Sequence, residues 1–347
     1  MENIIFRHSY DNLAEAVRNV NLAGRKFCII SDSNVASLYM ENVKKALGDM
    51  PSFVFKAGET QKHLGTIEEM YKFFLTHTLD RQSVVFALGG GVVGDMAGFA
   101  AATYMRGISV IQLPTTLLAQ VDAGLGGKTG VDFAGVKNLI GAFHQPSLVY
   151  TNLSTLNTLP QSEFFSGMAE VIKHGLIADM EYYQYLINNQ EAIKNLDPLV
   201  MEDVVIGSCK IKSQVVAKDE KEAGLREILN FGHCVGHAIE SLSEYSIPHG
   251  KCVAIGMCAA LRLSQICNEG KTPISPDDYK KAVDLMKFFE LPVKIEGYSL
   301  SDILANMYKD KKTRSGNLRI VLLKKIGEAY TDNTLSREKI LECLAEV

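Results

Sequence analysis

The sequence lacks several features that would assign it to a class at once. None of its seven cysteines stands in a CxxC pair, and their number is odd. A disulfide framework is therefore not expected, and a reducing compartment is the simplest reading. No apolar run approaches the roughly 20 residues of a membrane span, and Met1-Glu2-Asn3 leads straight into a strand-like stretch without a signal peptide. A basic arm or tail is missing too, and the net charge of -4 gives no reason to expect a nucleic-acid partner. Repeats and low-complexity segments are absent. The expectation is a soluble, cytoplasmic protein without a membrane or nucleic-acid partner. What is there is ordinary globular composition, 47% hydrophobic and 22% charged over 347 residues, enough chain for two domains with ample cores.

The first half alternates short apolar runs with helix-type segments. Candidate strands are residues 4–7, 26–32, 52–56, 83–88, 109–114 and 148–150, each bounded by Gly, Pro, Asp or Ser. Helical patterns lie between them at 11–19, 35–47 and 65–76. Strands alternating with helices predict a doubly wound, Rossmann-like α/β domain. After about Thr151 long apolar-periodic stretches take over, at 164–178, 181–188, 199–218, 235–242, 252–267 and 277–289, with a late hairpin at 318–323 and 328–331. We expect a mostly α-helical C-terminal domain. The division is therefore 1–151 and 152–347, with the active site in the interdomain cleft.

Gly89-Gly90-Gly91-Val92-Val93-Gly94-Asp95 follows a candidate strand and opens a small-residue helix. Glycines there let the backbone approach a pyrophosphate, and the helix N-terminus supplies N–H donors. It is not a GxGxxG in the first βα unit. Other candidate strands end in polar tips: Ser31-Asp32-Ser33-Asn34, Gly58-Glu59-Thr60-Gln61-Lys62 and Thr115-Thr116. Together they mark the ligand edge of an open sheet. The segment Gly124-Leu125-Gly126-Gly127-Lys128-Thr129 lacks the P-loop spacing, which argues against a nucleoside triphosphatase.

A second constellation points to a metal. Glu170 and Lys173 are i,i+3 neighbours on an apolar helical face, and His233 and His237 stand at i,i+4, the spacing by which helical pairs bind zinc. That spacing would make both histidines ligands, with Glu170 third. His249, in Ile247-Pro248-His249-Gly250, reads as a loop histidine free to point into a cleft. Spacing alone leaves open whether His237 or His249 completes the site. Asp122, Lys128, Lys137, Asn138, Lys212, Arg226 and Asn230 add polar groups suited to an anionic substrate.

These blocks resemble the 3-dehydroquinate synthase family over nearly the whole chain. The resemblance rests on Gly58-Glu59…Lys62, on 87–95 leading into 101–107, and on LPTTLLAQVDAGLGGK at 113–128. It continues through Gly135-Val136-Lys137-Asn138, TLNTLP at 155–160, and 167–174. The last blocks are 225–237, Pro248-His249-Gly250, and Asp310-Lys311-Lys312 with 320–323. One departure is Ala57, where the family often has Asp.

The resemblance implies that Glu170, His233 and His249 bind Zn2+ (or Co2+), while His237 faces the substrate phosphate. It implies NAD binding by Asp32, Asn34, Glu59, Lys62, Gly91, Val92, Val93, Gly94, Asp95, Thr115, Thr116, Lys128, Lys137, Thr155, Leu156, Asn157 and Thr158. Asp122, Lys128, Lys137, Asn138, Lys173, Lys212, Arg226, Asn230 and His237, with Lys311 or Lys312, would surround a sugar-acid phosphate. Arg106 is similar to a family arginine that crosses a homodimer interface into the partner's site. The activity implied is conversion of 3-deoxy-D-arabino-heptulosonate 7-phosphate to 3-dehydroquinate and phosphate, in the shikimate pathway of aromatic amino acid biosynthesis. The alternatives are another sugar-phosphate cyclase or a metal-dependent glycerol or alcohol dehydrogenase.

Overall fold

The computed structural model describes residues 3–219, 224–267, 274–309 and 318–347. The chain divides into two units, Met1–Leu159 and Pro160–Val347. The break falls after Leu159 because the preceding turn, Leu153–Thr158, is tied to the first unit. The Tyr39 hydroxyl donates to the Thr155 carbonyl at 3.3 Å and pairs with Thr158 Oγ1, and Gln120 Nε2 donates to Thr155 Oγ1 at 3.1 Å.

In the first unit the strands are β1 (Ile4–Arg7), β2 (Phe27–Asp32), β3 (Ser52–Phe55), β4 (Val84–Gly89), β5 (Ser109–Pro114), β6 (Lys128–Phe133), β7 (Val136–Phe143) and β8 (Leu148–Asn152). The helices between them are α1 (Leu13–Asn19), α2 (Ser33–Leu47), α3 (Leu64–Thr76) and α4 (Gly91–Thr103). Six strands form one sheet in the order β1-β8-β5-β4-β2-β3, with every described pair parallel. Side chains alternate across it. Cys28, Ile30, Val85 and Ala87 pack on one face with residues of α3 and α4. Ile29, Val84, Phe86 and Leu88 pack on the other with α1 and α2. Both faces are covered, which is why the strands read as unbroken apolar runs.

β6 and β7 form a separate antiparallel hairpin that the sequence reading passed over. Its inward residues Val131, Ile140 and Ala142 join the α3/α4 core. Phe133, Val136, Leu139 and Phe143 are exposed. Apolar groups on both faces, and glycines paired at Gly130 and Gly141, erase the alternation by which a half-buried strand is recognised.

The second unit is helical: α5 (Gln161–Ala178), α6 (Met180–Asn188), α7 (Gln190–Lys194), α8 (Pro198–Lys218), α9 (His233–Leu242), α10 (His249–Cys267), α11 (Pro276–Phe288), α12 (Leu300–Lys309) and α13 (Arg337–Leu344). A hairpin of β9 (Ile320–Lys325) and β10 (Glu328–Asp332) accompanies them. Its core joins α9 and α10 to Ile303, Met307, Ile320, Leu322 and Ile340. Two expectations are corrected here. α10 begins at His249 itself, so this histidine opens a helix and is not a loop residue. The same 19-residue helix is also long and apolar enough to cross a membrane by length and composition, contrary to the sequence reading, yet 72% of its most apolar window is buried inside the protein. It is a core helix.

Candidate active site

Three helices of the second unit bring one carboxylate and two imidazoles together. Glu170 comes from the middle of α5, His233 from the first residue of α9, and His249 from the first residue of α10. Glu170 is wholly buried, and its Oε1 has no hydrogen-bond partner among the described residues. Two ring nitrogens face that oxygen, His233 Nε2 at 3.7 Å and His249 Nε2 at 3.8 Å. On their far sides, His233 Nδ1 lies 3.2 Å from the Phe231 carbonyl, and His249 Nδ1 lies 3.3 Å from Glu240 Oε2. Both Nδ1 atoms face acceptors, so each carries the proton and each Nε2 presents a lone pair. An orphaned buried carboxylate oxygen ringed by two such lone pairs would be costly by itself. A divalent cation among them removes the cost, and the donor set of two imidazoles and a carboxylate, with a position left open, suits catalytic zinc.

The close approach is a property of the backbone. A methyl group at Gly250 would collide with the Ser166 carbonyl oxygen, one turn before Glu170, and one at Gly256 would collide with the Gly232 carbonyl oxygen. The Gly250 amide also donates to Ser166 Oγ at 3.1 Å. These contacts set α10 against α5 and α9 closely enough for the three side chains to meet. Burial works against a charge on His249, yet Glu240 and then Glu170 outweigh it and its pKa rises. Greater basicity at this ring strengthens it as a ligand.

Cations line the same unit. Lys173, almost wholly buried on α5, pairs with Glu170 Oε2. Lys212 on α8 and Arg226 on the turn Leu225–Asn230 are buried too. That turn packs against α5 and α8 and carries Asn230. Asp219 Oδ2 accepts from the amides of Gly224 (2.8 Å) and Arg226 (2.9 Å), and Glu227 takes two bonds from Arg319, at 3.0 and 2.7 Å, to hold the turn in place. So fixed a set of buried cations complements a multiply anionic ligand. His237, one turn along α9 from His233, stands with ring centroids 5.1 Å from His233 and 5.9 Å from His249. Lys311 and Lys312 lie outside the described residues.

In the first unit, most of the expected nucleotide residues follow the carboxyl ends of parallel strands, whereas Lys128 and Lys137 lie on the antiparallel β6–β7 hairpin. Strand order reverses between β2 and β4, and ligands of open α/β sheets bind outside such a switch point. β4 runs directly into α4 at Gly91, and the close packing continues at Gly94, where a Cβ would stand 2.9 Å from Gln112 Oε1. Asp32 Oδ1 caps α2 by accepting from the Asn34 and Val35 amides at 2.8 and 3.0 Å. Lys62 Nζ lies 2.7 Å from Asp95 and 3.9 Å from Glu59, and Lys137 Nζ lies 3.5 Å from Glu59. Burial works against the charge on Lys62, yet Asp95 and Glu59 outweigh it and its pKa rises.

Thr115 is buried with its amide on the Gly89 carbonyl, and Thr116 Oγ1 accepts from Ala119 N at 3.2 Å. Val92 stands half-buried and Val93 buried in α4. Thr155 and Leu156 are buried in the closing turn, whereas Asn157 and Thr158 are exposed. Asp122 sits on the short helix Ala119–Ala123, Lys128 opens β6, and Asn138 lies in β7 with its amide on Asp132 Oδ1. Arg106 is exposed on the turn after α4, with a positive φ of 69°. The sequence reading missed Glu240. Its signal was present, because His233, His237 and Glu240 recur at steps of four and three along one helix.

The 3-dehydroquinate synthase N-terminal family profile matches residues 52–166, and the C-terminal profile of the same family matches residues 167–313. A curated 3-dehydroquinate synthase of Acetivibrio thermocellus is 44% identical over 324 residues, 92% of this chain and 89% of that protein. Among solved structures, the 2-epi-5-epi-valiolone synthase ValA of Streptomyces hygroscopicus, with NAD+ and Zn2+ bound, superposes with a TM-score of 0.89 at 26% identity. A 2-deoxy-scyllo-inosose synthase complexed with carbaglucose-6-phosphate, NAD+ and Co2+ gives 0.87 at 25% identity. Each comparison covers 99% of this chain and 96% of the other.

Proposed function

Because the chain belongs to the 3-dehydroquinate synthase family, and is thereby an enzyme of the lyase class, we propose that it turns over 3-deoxy-D-arabino-heptulosonate 7-phosphate at the group of residues around Glu170. The observation that carries this reading is the orphaned Glu170 oxygen faced by the Nε2 atoms of His233 and His249. Those three residues would hold Zn2+ or Co2+, and the loops following β2, β3, β4 and β5, with Thr155, Leu156, Asn157 and Thr158, would hold NAD. When bound, the metal would supply Lewis acidity toward neighbouring substrate hydroxyls and NAD would supply reversible hydride acceptance, with no net redox change.

The protein's own groups position and neutralise. Lys212 and Arg226 take the substrate carboxylate, Arg226 with two parallel bonds. In the second unit Asn230 and His237 take the phosphate; the family resemblance adds Asp122, Lys128, Lys137 and Asn138 of the first unit, and one of Lys311 and Lys312, as further substrate residues. Lys173 balances the charge of Glu170. Phosphate leaves by β-elimination with loss of the C6 proton, which the departing phosphate itself can accept, so holding that phosphate matters more than supplying a separate base. Each buried phosphate contact is worth about 2–4 kcal/mol in the transition state.

Incubation of the purified protein with the heptulosonate phosphate and substoichiometric NAD should release phosphate over many turnovers, with no NADH accumulating. Accumulating NADH with a simple alcohol, and no phosphate release, would replace this reading with a dehydrogenase. Turnover of a sugar phosphate that lacks a carboxylate, but not of the heptulosonate, would replace it with another cyclase.

The working unit is a homodimer in which Arg106 reaches the partner's site. Supporting this, Phe133, Val136, Leu139 and Phe143 expose apolar surface on one hairpin, and Met105 does so beside Arg106. Mixing an Arg106→Ala protein with a Lys173→Ala protein should restore activity that neither has alone; absence of recovery after subunit exchange counts against a shared site. We also place the protein in the cytoplasm. None of the seven cysteines is joined in a disulfide and six are buried, in keeping with a reducing compartment.

A further inference from the structure

We infer that Glu240 is a positioning residue that orients His249 for the metal. Glu240 lies on α9, is 4% exposed, and places Oε2 3.3 Å from His249 Nδ1, while Nε2 of the same ring lies 3.8 Å from Glu170 Oε1. The two carboxylates address opposite edges of one imidazole. A bond from Nδ1–H to Glu240 fixes the ring plane, selects the tautomer with its lone pair on Nε2, and polarises that lone pair toward a cation.

The two ligand histidines are held differently. His233 Nδ1 faces the Phe231 main-chain carbonyl at 3.2 Å, an acceptor that no side-chain substitution removes. His249 depends on a side chain. Nor does α10 hold the ring by itself, because His249 is its first residue and lacks a preceding helical turn to pack against. The acceptor must therefore come from a neighbouring helix. α9 supplies it seven residues, two turns, beyond His233, so one helix carries both a ligand and the group that orients the other ligand.

The inference rests on the metal site proposed above. Its test compares wild type with Glu240→Gln and Glu240→Ala, using Co2+ and Zn2+ alone as probes. The readouts are the metal dissociation constant, by competition with a chromophoric chelator, and the visible absorption of the Co2+-loaded protein. Glu240→Gln keeps the shape and one acceptor oxygen but loses the charge. It should weaken binding about 10-fold, and Glu240→Ala about 100-fold with an altered Co2+ spectrum.

A purely packing role would leave the metal-free melting temperature as the quantity that changes. Unchanged metal affinity and Co2+ spectrum in both variants would overturn the inference, and so would failure of Glu240→Gln to fold. A wild-type protein that binds neither ion would instead overturn the metal site itself, so the two failures are distinguishable.

Discussion

His249→Ala protein should emerge without stoichiometric zinc and with turnover reduced by about 10³-fold or more. The side chain removed is one of the three proposed donors, and of the two imidazoles that face Glu170 Oε1 the variant keeps His233, with Nε2 at 3.7 Å. Lewis-acid stabilisation supplies several kcal/mol, and every ~1.4 kcal/mol is a factor of ten in rate. His237→Ala provides the contrast. That ring stands near both histidines but outside the trio around Glu170, so the variant should keep its metal and lose about 10²–10³ in kcat through a missing phosphate contact. Metal analysis and steady-state rates on both proteins decide the matter. Full metal content and activity in the His249 variant, with loss of metal in the His237 variant, would exchange the two assignments.

Lys173→Met should produce the largest change in stability. Lys173 and Glu170 are paired one helical turn apart, both almost wholly buried. Deleting one partner of a buried ion pair leaves the other charge without compensation and costs about 3–5 kcal/mol. The consequence should depend on metal. In metal-free protein the full loss should appear in urea unfolding, whereas saturating Zn2+ should restore part of it, because a cation beside Glu170 replaces some of the missing charge. Equal destabilisation with and without zinc would mean that the ion does not share the Glu170 carboxylate with Lys173.

Much of the fold was legible in the sequence for a simple reason. The four inner strands of the main sheet, β2, β4, β5 and β8, are buried on both faces, so they appear as short apolar runs ended by polar or glycine residues, and the observed bounds of all six strands lie close to those expected. Signals were lost where burial is partial. The β6–β7 hairpin exposes Phe133, Leu139 and Phe143 and packs Val131 inward, so neither alternation nor a clean apolar run survives. α7 has only five residues, too short for a helical period to stand out, and α12 and α13 were not anticipated either.

The site divides similarly. Spacing along one helix pointed to His233 and His237, because i,i+4 is visible in sequence. The pairing that closes the trio joins α5, α9 and α10. No spacing rule spans such separations; only the resemblance singled out His249, and the structure brings its Nε2 to Glu170. Pro248 suggested a loop, although a proline just ahead of a helix equally announces its start.

The glycines at the crossings of α10 with α5 and α9 carry a further implication. Gly250 and Gly256 bear no functional group, yet each occupies a place where one added carbon would strike a neighbouring carbonyl. Chemical capability here is limited by clearance as much as by reactivity. A redesign that kept every donor while widening this junction by a methyl's breadth would retain the inventory of the centre and forfeit its reach.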